Sequence, residues 1–303
     1  ARCTPTGARA SPWGRTRMTP LLIAQIGIIV VIFFALQISA AVMVYMERKV
    51  AAYLQQRVGP TRVGPQGLLQ PIADIVKLMF KEELRPASAD PLLFAIAPMM
   101  SATAAFAAFA VVPFGAETTL FGLRSSAQMI SYELSYGMAL AAVIVLGNSL
   151  SLRDIVDLQS GYWFGFIPRW LVFLQPVGCL IFMTAGVAET NRAPFDFPEA
   201  EQELVAGYHT EYSSMSFALF FLAEYINMVT VSAVATNLYF GGWHGPFLPE
   251  SLGWIWFLIK TFAILFFYVW MRWTLPRYRY DQLMAFGWKF LLPVAVLNLI
   301  ATA

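Results

Sequence analysis

Residues 20–46 read PLLIAQIGIIVVIFFALQISAAVMVYM, a run without one charged side chain. An α-helix rises about 1.5 Å per residue, and about 20 apolar residues cross the ~30 Å hydrocarbon core of a bilayer. In lipid the backbone must satisfy its own N–H and C=O groups, so such a run is read as a helix. Six further runs obey the same rule: 91–113, 127–147, 168–188, 215–240, 252–272 and 286–303. Tyr45, Trp163, Trp170, Trp243, Trp254, Trp273 and Trp288 stand near run ends, as in an interfacial aromatic belt. The expected fold is all-α: a polytopic integral membrane protein with seven transmembrane helices.

Composition agrees. The 303 residues are 58% hydrophobic and 13% charged, against roughly 45–50% and 25% in soluble domains. A net charge of +2 gives no case for nucleic acid as a partner. Cys3 and Cys179 are far apart and sit in no ligand spacing, which argues against a disulfide framework or a metal site. Residues 1–17, with Arg2, Arg9, Arg15 and Arg17 among Pro and Gly, read as a disordered or spurious extension rather than a targeting segment. Met18 is a candidate start, and 18–303 read as one transmembrane helical domain.

The basic residues raise a topological conflict. The 47–90 connection carries Arg48, Lys49, Arg57, Arg62, Lys77, Lys81 and Arg85; the 272–289 connection carries Arg272, Arg277, Arg279 and Lys289. Lys and Arg favour cytoplasmic loops, so both connections belong on one face. Five runs separate them, which puts them on opposite faces. One more crossing between the second and third runs reconciles them and brings Arg124 to the same side. Either a helix is missing near 121–124, or one run is miscounted.

Residues 66–82 differ from the spans. Leu68, Leu69, Ile72, Ile75, Val76 and Met79 fall on one helical face, with Gln70, Asp74, Lys77 and Lys81 opposite. This amphipathic helix either lies in the membrane interface or packs on its own protein. Pro71 fits its first turn, where a missing N–H costs least.

Charges inside the runs point to chemistry. Glu133 and Glu224 sit roughly 9–12 Å inside their helix ends at 1.5 Å per residue. A charge at the bilayer centre costs about 2.5–3.5 kcal/mol on insertion scales, so such residues usually face a polar interior. Lys260 either does the same or snorkels on its long stem. A second group is the connection after residue 188, where Glu189, Asp196, Glu199, Glu201, Glu203 and Glu211 stand against Arg192 and His209. Pro194, Pro198, Phe195 and Phe197 stiffen and anchor these acids, which favours an acidic funnel over a solvated loop. A third is the basic stretch from Glu47-Arg48-Lys49 to Gly67. Its Gly59-Pro60 and Gly64-Pro65 pairs force turns that hold Arg57 and Arg62 at the membrane surface. Arginine there can hydrogen-bond a quinone carbonyl or a lipid phosphate. No nucleotide loop or nucleophile–base pair is visible, so redox cofactors would come from partners.

These segments resemble the quinone-site membrane subunit of bacterial respiratory complex I, the NADH:quinone oxidoreductase. That family, the NuoH family, is related to mitochondrial NADH dehydrogenase subunit 1. The resemblance is carried by Glu47-Arg48-Lys49, Arg57-Val58-Gly59-Pro60, Gly67-Leu68-Leu69-Gln70-Pro71 and Ser131-Tyr132-Glu133. It is closest in Ala188-Glu189-Thr190-Asn191-Arg192-Ala193-Pro194-Phe195-Asp196-Phe197-Pro198-Glu199 and Gly207-Tyr208-His209-Thr210-Glu211-Tyr212-Ser213, and it continues in Arg279-Tyr280-Asp281-Gln282-Leu283. It runs from about residue 20 to 303. It implies a helical subunit, usually of eight helices, in a bacterial inner membrane. With other membrane subunits and soluble partners, such a subunit encloses a quinone chamber. The implied quinone residues are Arg48, Arg57, Arg62, Asp74 and Phe221. The implied proton relay is Glu133, Glu189 and Glu224 with the loop acids Asp196, Glu199, Glu201, Glu203 and Glu211. Quinone is the implied substrate; NADH, FMN and iron–sulfur clusters belong to partner subunits. The family carries another helix, with one further channel glutamate, between the counterparts of Gly122 and Leu123. A deletion, a gene-model error or an incomplete chain would each produce that join. The runner-up is the equivalent membrane subunit of an energy-converting hydrogenase or ferredoxin-linked complex. A free-standing transporter explains the buried glutamates but not the basic loop.

Overall fold

A computed structural model describes residues 20–82, 91–109, 130–163, 167–190, 192–195, 213–245, 252–276, 278, 282 and 285–303. The described parts of the apolar runs are helical apart from run ends, among them 168–170, and the break at Gln175. Helix α1 (Pro20–Leu54) continues beyond the apolar run because no breaker stands before the Gly59-Pro60 turn. A 3₁₀ turn (Pro65–Gly67) leads into α2 (Gln70–Met79), which is shorter than the expected 66–82 and has Pro71 in its first turn. Then come α3 (Pro91–Phe109), α4 (Ile130–Gly147) and α5 (Leu152–Leu158). A two-residue hairpin, β1 (Tyr162–Trp163) with β2 (Ile167–Pro168), follows. Next are α6 (Leu171–Leu174), α7 (Pro176–Glu189), α8 (Ser214–Tyr239) and α9 (Gly253–Thr274). A π-helical turn (Gly287–Leu291) opens α10 (Leu292–Thr302).

Among the described residues, three helical segments are long and apolar enough to cross a membrane: Ile26–Leu54, Ser214–Tyr239 and Gly253–Thr274. A fourth is added if α4 and α5, bent by 61°, form one span; Phe94–Phe106, Pro176–Glu189 and Gly287–Thr302 are shorter apolar helices. The 168–188 run is not one helix. It breaks at Gln175, because Pro176 has no N–H to donate and the Gln175 backbone leaves the helical region (φ −129°, ψ 61°). The Gln175 side chain donates to Thr302 Oγ1 at 2.6 Å, tying the break to the end of α10.

Helix α8 is the axis of the bundle and touches α1, α2, α3, α5, α6, α7 and α9. One end gathers the C-termini of α1, α7 and α9 with the start of α8. There Ser214 Oγ donates to the carbonyls of Leu78 and Lys81, and Tyr278 N donates to Pro194 O. The other end holds α5, the hairpin and the α8–α9 turn, where Gln159 Nε2 donates to Asn237 O and Leu238 O.

Helix α3 runs parallel to α8. Its Ala102 and Ala105 pack on Ala223 and Ile226, and Phe109 packs further along on the layer of Ala233 and Phe257. Helix α4 has the same direction: Glu133 lies near Glu189 at the end of α7, and Gly147 meets Ile155 at the opposite end. Helices α3 and α4 therefore run the same way, and residues 110–129, which join them, lie outside the described residues. The alternation expected of seven simple spans fails at this join. The basic 47–82 and 272–278 segments do share one end, as the charge distribution required.

Two expectations are corrected by packing. Lys260 does not reach out to the interface. It is 8% exposed, and its Nζ donates to the carbonyls of Phe240 (2.6 Å), Gly242 (3.0 Å) and His244 (2.5 Å). Its ammonium also lies 4.7 Å from the Trp170 ring centroid. The lysine thus caps the C-terminus of α8, where carbonyls and the helix dipole favour a cation. Trp243 is buried rather than part of an aromatic belt, while Trp254, Trp273 and Trp288 are exposed. On α2, Leu69, Ile72 and Ile75 remain exposed beside α1 and border an apolar groove of about 710 Å³. Its own chain covers only part of the amphipathic face.

Candidate functional site

Four charged side chains meet where α1, α8, α9 and the turn after α7 come together. Glu47 is deep in α1 and almost fully buried. Its Oε1 lies 3.2 Å from Arg192 Nη1 and also pairs with Arg272 Nη1. Its Oε2 accepts from the Tyr225 hydroxyl at 2.5 Å. Arg192 Nε lies 2.5 Å from Glu224 Oε1, and its guanidinium sits 4.6 Å from the Tyr225 ring centroid. Two carboxylates and two guanidiniums cancel, so the cluster carries no formal net charge. That balance makes burial tolerable, since an unpaired buried ion costs several kcal/mol.

The local sequence explains how Arg192 turns inward. The Thr190 hydroxyl donates back to Gly186 O and Val187 O, closing the end of α7. Arg192 N then donates to Val187 O, and Phe195 N donates to Arg192 O. The Phe195 ring stacks on Tyr278 at 5.7 Å, pinning this turn to the segment after α9.

A cavity of about 600 Å³ opens beside the cluster. Val44, Glu47, Arg48, Ala51 and Ala52 of α1 line one wall, Phe221 and Tyr225 of α8 another, and Arg272 and Trp273 a third. The Arg57–Pro60 segment and Gln70 complete the lining. The loop owes its shape to Gly67, which has φ +81°; a Cβ there would lie 2.1 Å from the Pro60 carbonyl oxygen. The Tyr45 hydroxyl donates to Gln66 O and holds the loop against α1.

Of the residues expected at a quinone site, Arg48, Arg57 and Phe221 come together on this cavity. Asp74 is not in the lining; it holds Arg48 from the side at 2.6 Å and accepts from Gln70 Nε2 at 3.2 Å. Arg62 is exposed and not in the lining. The expected relay acids divide in two. Glu224 belongs to the charge cluster, whereas Glu133, in the first described turn of α4, lies near Glu189. Asp196, Glu199, Glu201, Glu203 and Glu211 lie outside the described residues.

Sequence reasoning missed Glu47, Arg192, Tyr225 and Arg272 as one unit. Glu47 was masked by the neighbouring Arg48 and Lys49, and Arg192 by the acids that follow it. One signal was available: Arg192 is the sole cation between Glu189 and Glu203.

The family model described as NADH dehydrogenase matches residues 26–122 and 118–303, two segments that meet at 118–122. The chain is 45% identical to the first H-type subunit of NADH-quinone oxidoreductase from Geobacter metallireducens, covering 94% of this chain and 98% of the relative. It is 46% identical to the second H-type subunit of the same enzyme from Geobacter sulfurreducens, over 90% and 94% of the two chains. It is 44% identical to the corresponding subunit from Protochlamydia amoebophila, over 88% and 92%. The first of these alignments spans 332 residues, longer than this 303-residue chain, so the relative carries residues that face gaps here. The break in the family match falls between α3 and α4, at the join that the distribution of basic residues singles out.

Proposed function

Because this chain belongs to the NADH dehydrogenase family, we propose that it is the quinone-site membrane subunit of a proton-translocating NADH:quinone oxidoreductase in a bacterial inner membrane. The observation that carries the reading is the cavity that joins Arg48, Arg57 and Phe221 to the neutral Glu47–Arg192–Glu224–Arg272 cluster. A quinone head group is planar and carries two carbonyl acceptors. Guanidinium donors match those acceptors, and an aromatic face matches the ring. Electrons come from iron–sulfur clusters in soluble partners, and NADH and FMN are held there too. Reduction of quinone draws protons and changes the charge in the cavity. Glu47 and Glu224, held between two guanidiniums, are the first groups to sense that change. The acids near Glu189, together with the 196–211 stretch, carry the response onward through other membrane subunits. The seven expected spans, joined by the further crossing that a shared basic face requires, put the basic end on the cytoplasmic side.

The test is an affinity pull-down of the tagged chain from native membranes in mild detergent, with inhibitor-sensitive NADH:quinone reduction assayed in the eluate. Co-purifying partners and activity are expected. A complex reducing protons or using ferredoxin in place of NADH and quinone would overturn the reading.

A further inference from the structure

Tyr268 and Arg272 are four residues apart on α9 and so share a helix face. Arg272 pairs with Glu47, so this face of α9 begins at the charge cluster. Tyr268 is 2% exposed, and its hydroxyl has no hydrogen-bond partner among the described residues. A buried, unsatisfied hydroxyl costs on the order of 1–3 kcal/mol, a penalty that phenylalanine would avoid.

The hydroxyl lies against Gly186 of α7. A Cβ built there would lie 2.8 Å from Val231 Cγ1, 3.2 Å from Tyr268 Oη and 3.7 Å from Tyr136 Cε2. Gly186 stands just under one helical turn before Glu189. The Glu189 carboxylate is within electrostatic reach of Tyr268, Tyr136 and Glu133. The absence of a side chain at Gly186 therefore lets the phenol oxygen approach the helix that ends in Glu189.

We propose that Tyr268 is a hydroxyl relay passing protons between the Glu47–Arg192–Glu224–Arg272 cluster and the Glu189–Glu133 pair, with Gly186 as the gap that admits its oxygen. The inference rests on the proton-coupling function proposed above. The step balances simply. A cluster carboxylate that has taken up a proton from the cavity side gives it, directly or through water, to the phenol oxygen, whose own O–H bond breaks toward the Glu189 carboxylate. The phenol ends unchanged, and one proton has moved.

The test uses the assembled complex in inverted membrane vesicles and compares Tyr268→Phe, Tyr268→His and Glu189→Gln. Tyr268→Phe keeps the packing and removes only the oxygen. Normal partner-subunit content is expected, with a several-fold loss of both NADH:quinone turnover and proton uptake. Tyr268→His, which restores a transferable proton but not the ring's shape, recovers part of that loss. Parental proton uptake in Tyr268→Phe with loss in Glu189→Gln overturns the relay and leaves the acid track standing. Parental uptake in both overturns the track and the relay together. Failure of Tyr268→Phe to assemble makes the hydroxyl structural and overturns the relay, as does a defect that histidine does not relieve.

Discussion

Glu47 holds three donors at once, from Arg192, Arg272 and Tyr225. Removing Arg192 takes a cation from both carboxylates of the cluster, Glu47 and Glu224. Breaking a buried pair in this way costs about 3–5 kcal/mol. Arg192→Met is therefore expected to abolish assembly, read as loss of partner subunits on native gels, while Arg192→Lys recovers much of it by keeping the charge. Parental assembly in Arg192→Met would show that the cluster is dispensable for the fold. Arg48 is different. Its side chain is half exposed and borders the cavity, and its one ion pair, with Asp74, is partly solvated. Partly exposed pairs contribute little to stability. Arg48→Ala is thus expected to weaken quinone turnover, with a higher KM for quinone and normal subunit content. Loss of assembly instead would make Arg48 a structural residue.

At the scale of elements, the loop from Arg57 to Gly67 decides whether α1 and α2 enclose a cavity. Gly67 has no room for a methyl group beside the Pro60 carbonyl, and its φ of +81° disfavours any L side chain. Gly67→Ala must shift the loop. Assembly is expected to persist, because α2 is held to α8 by Ser214 independently of the loop. Quinone turnover is expected to fall at least as far as in Arg48→Ala, since the loop carries Arg57 and Pro60 to the cavity. Unchanged turnover in Gly67→Ala would mean that the loop does not shape the site. The opposite end relies on a different device: Lys260 gathers three carbonyls from the α8–α9 turn and locks the two helices.

For the whole molecule, the two ends of the bundle make a prediction about sidedness. Arg62 and Tyr278 are exposed at the basic end and Ser160 at the other. Cysteines introduced at Arg62 and Tyr278 should react with an impermeant thiol reagent from the cytoplasmic face, and one at Ser160 from the opposite face. Labelling of Arg62→Cys and Tyr278→Cys from different sides would contradict both the helix directions and the distribution of basic residues. The parallel course of α3 and α4 agrees with the shared basic end, and the family match divides between these two helices.

Hydropathy by itself determined that this is a helical membrane protein, because lipid leaves the backbone no other way to satisfy its hydrogen bonds. The basic residues by themselves pointed to the join between the second and third runs, because their sidedness is a property of loops and does not depend on packing. The motifs around Glu47 and from Ala188 to Ser213 carried the family. Only the tertiary structure decided that Glu47, on α1, would share its charge with Arg192 and Arg272, which lie 145 and 225 residues further along the chain. Pairing between charges so distant in sequence leaves no local periodicity to read. For the same reason Lys260 looked like a candidate to snorkel: its partners are backbone carbonyls, which every residue carries and no sequence can distinguish.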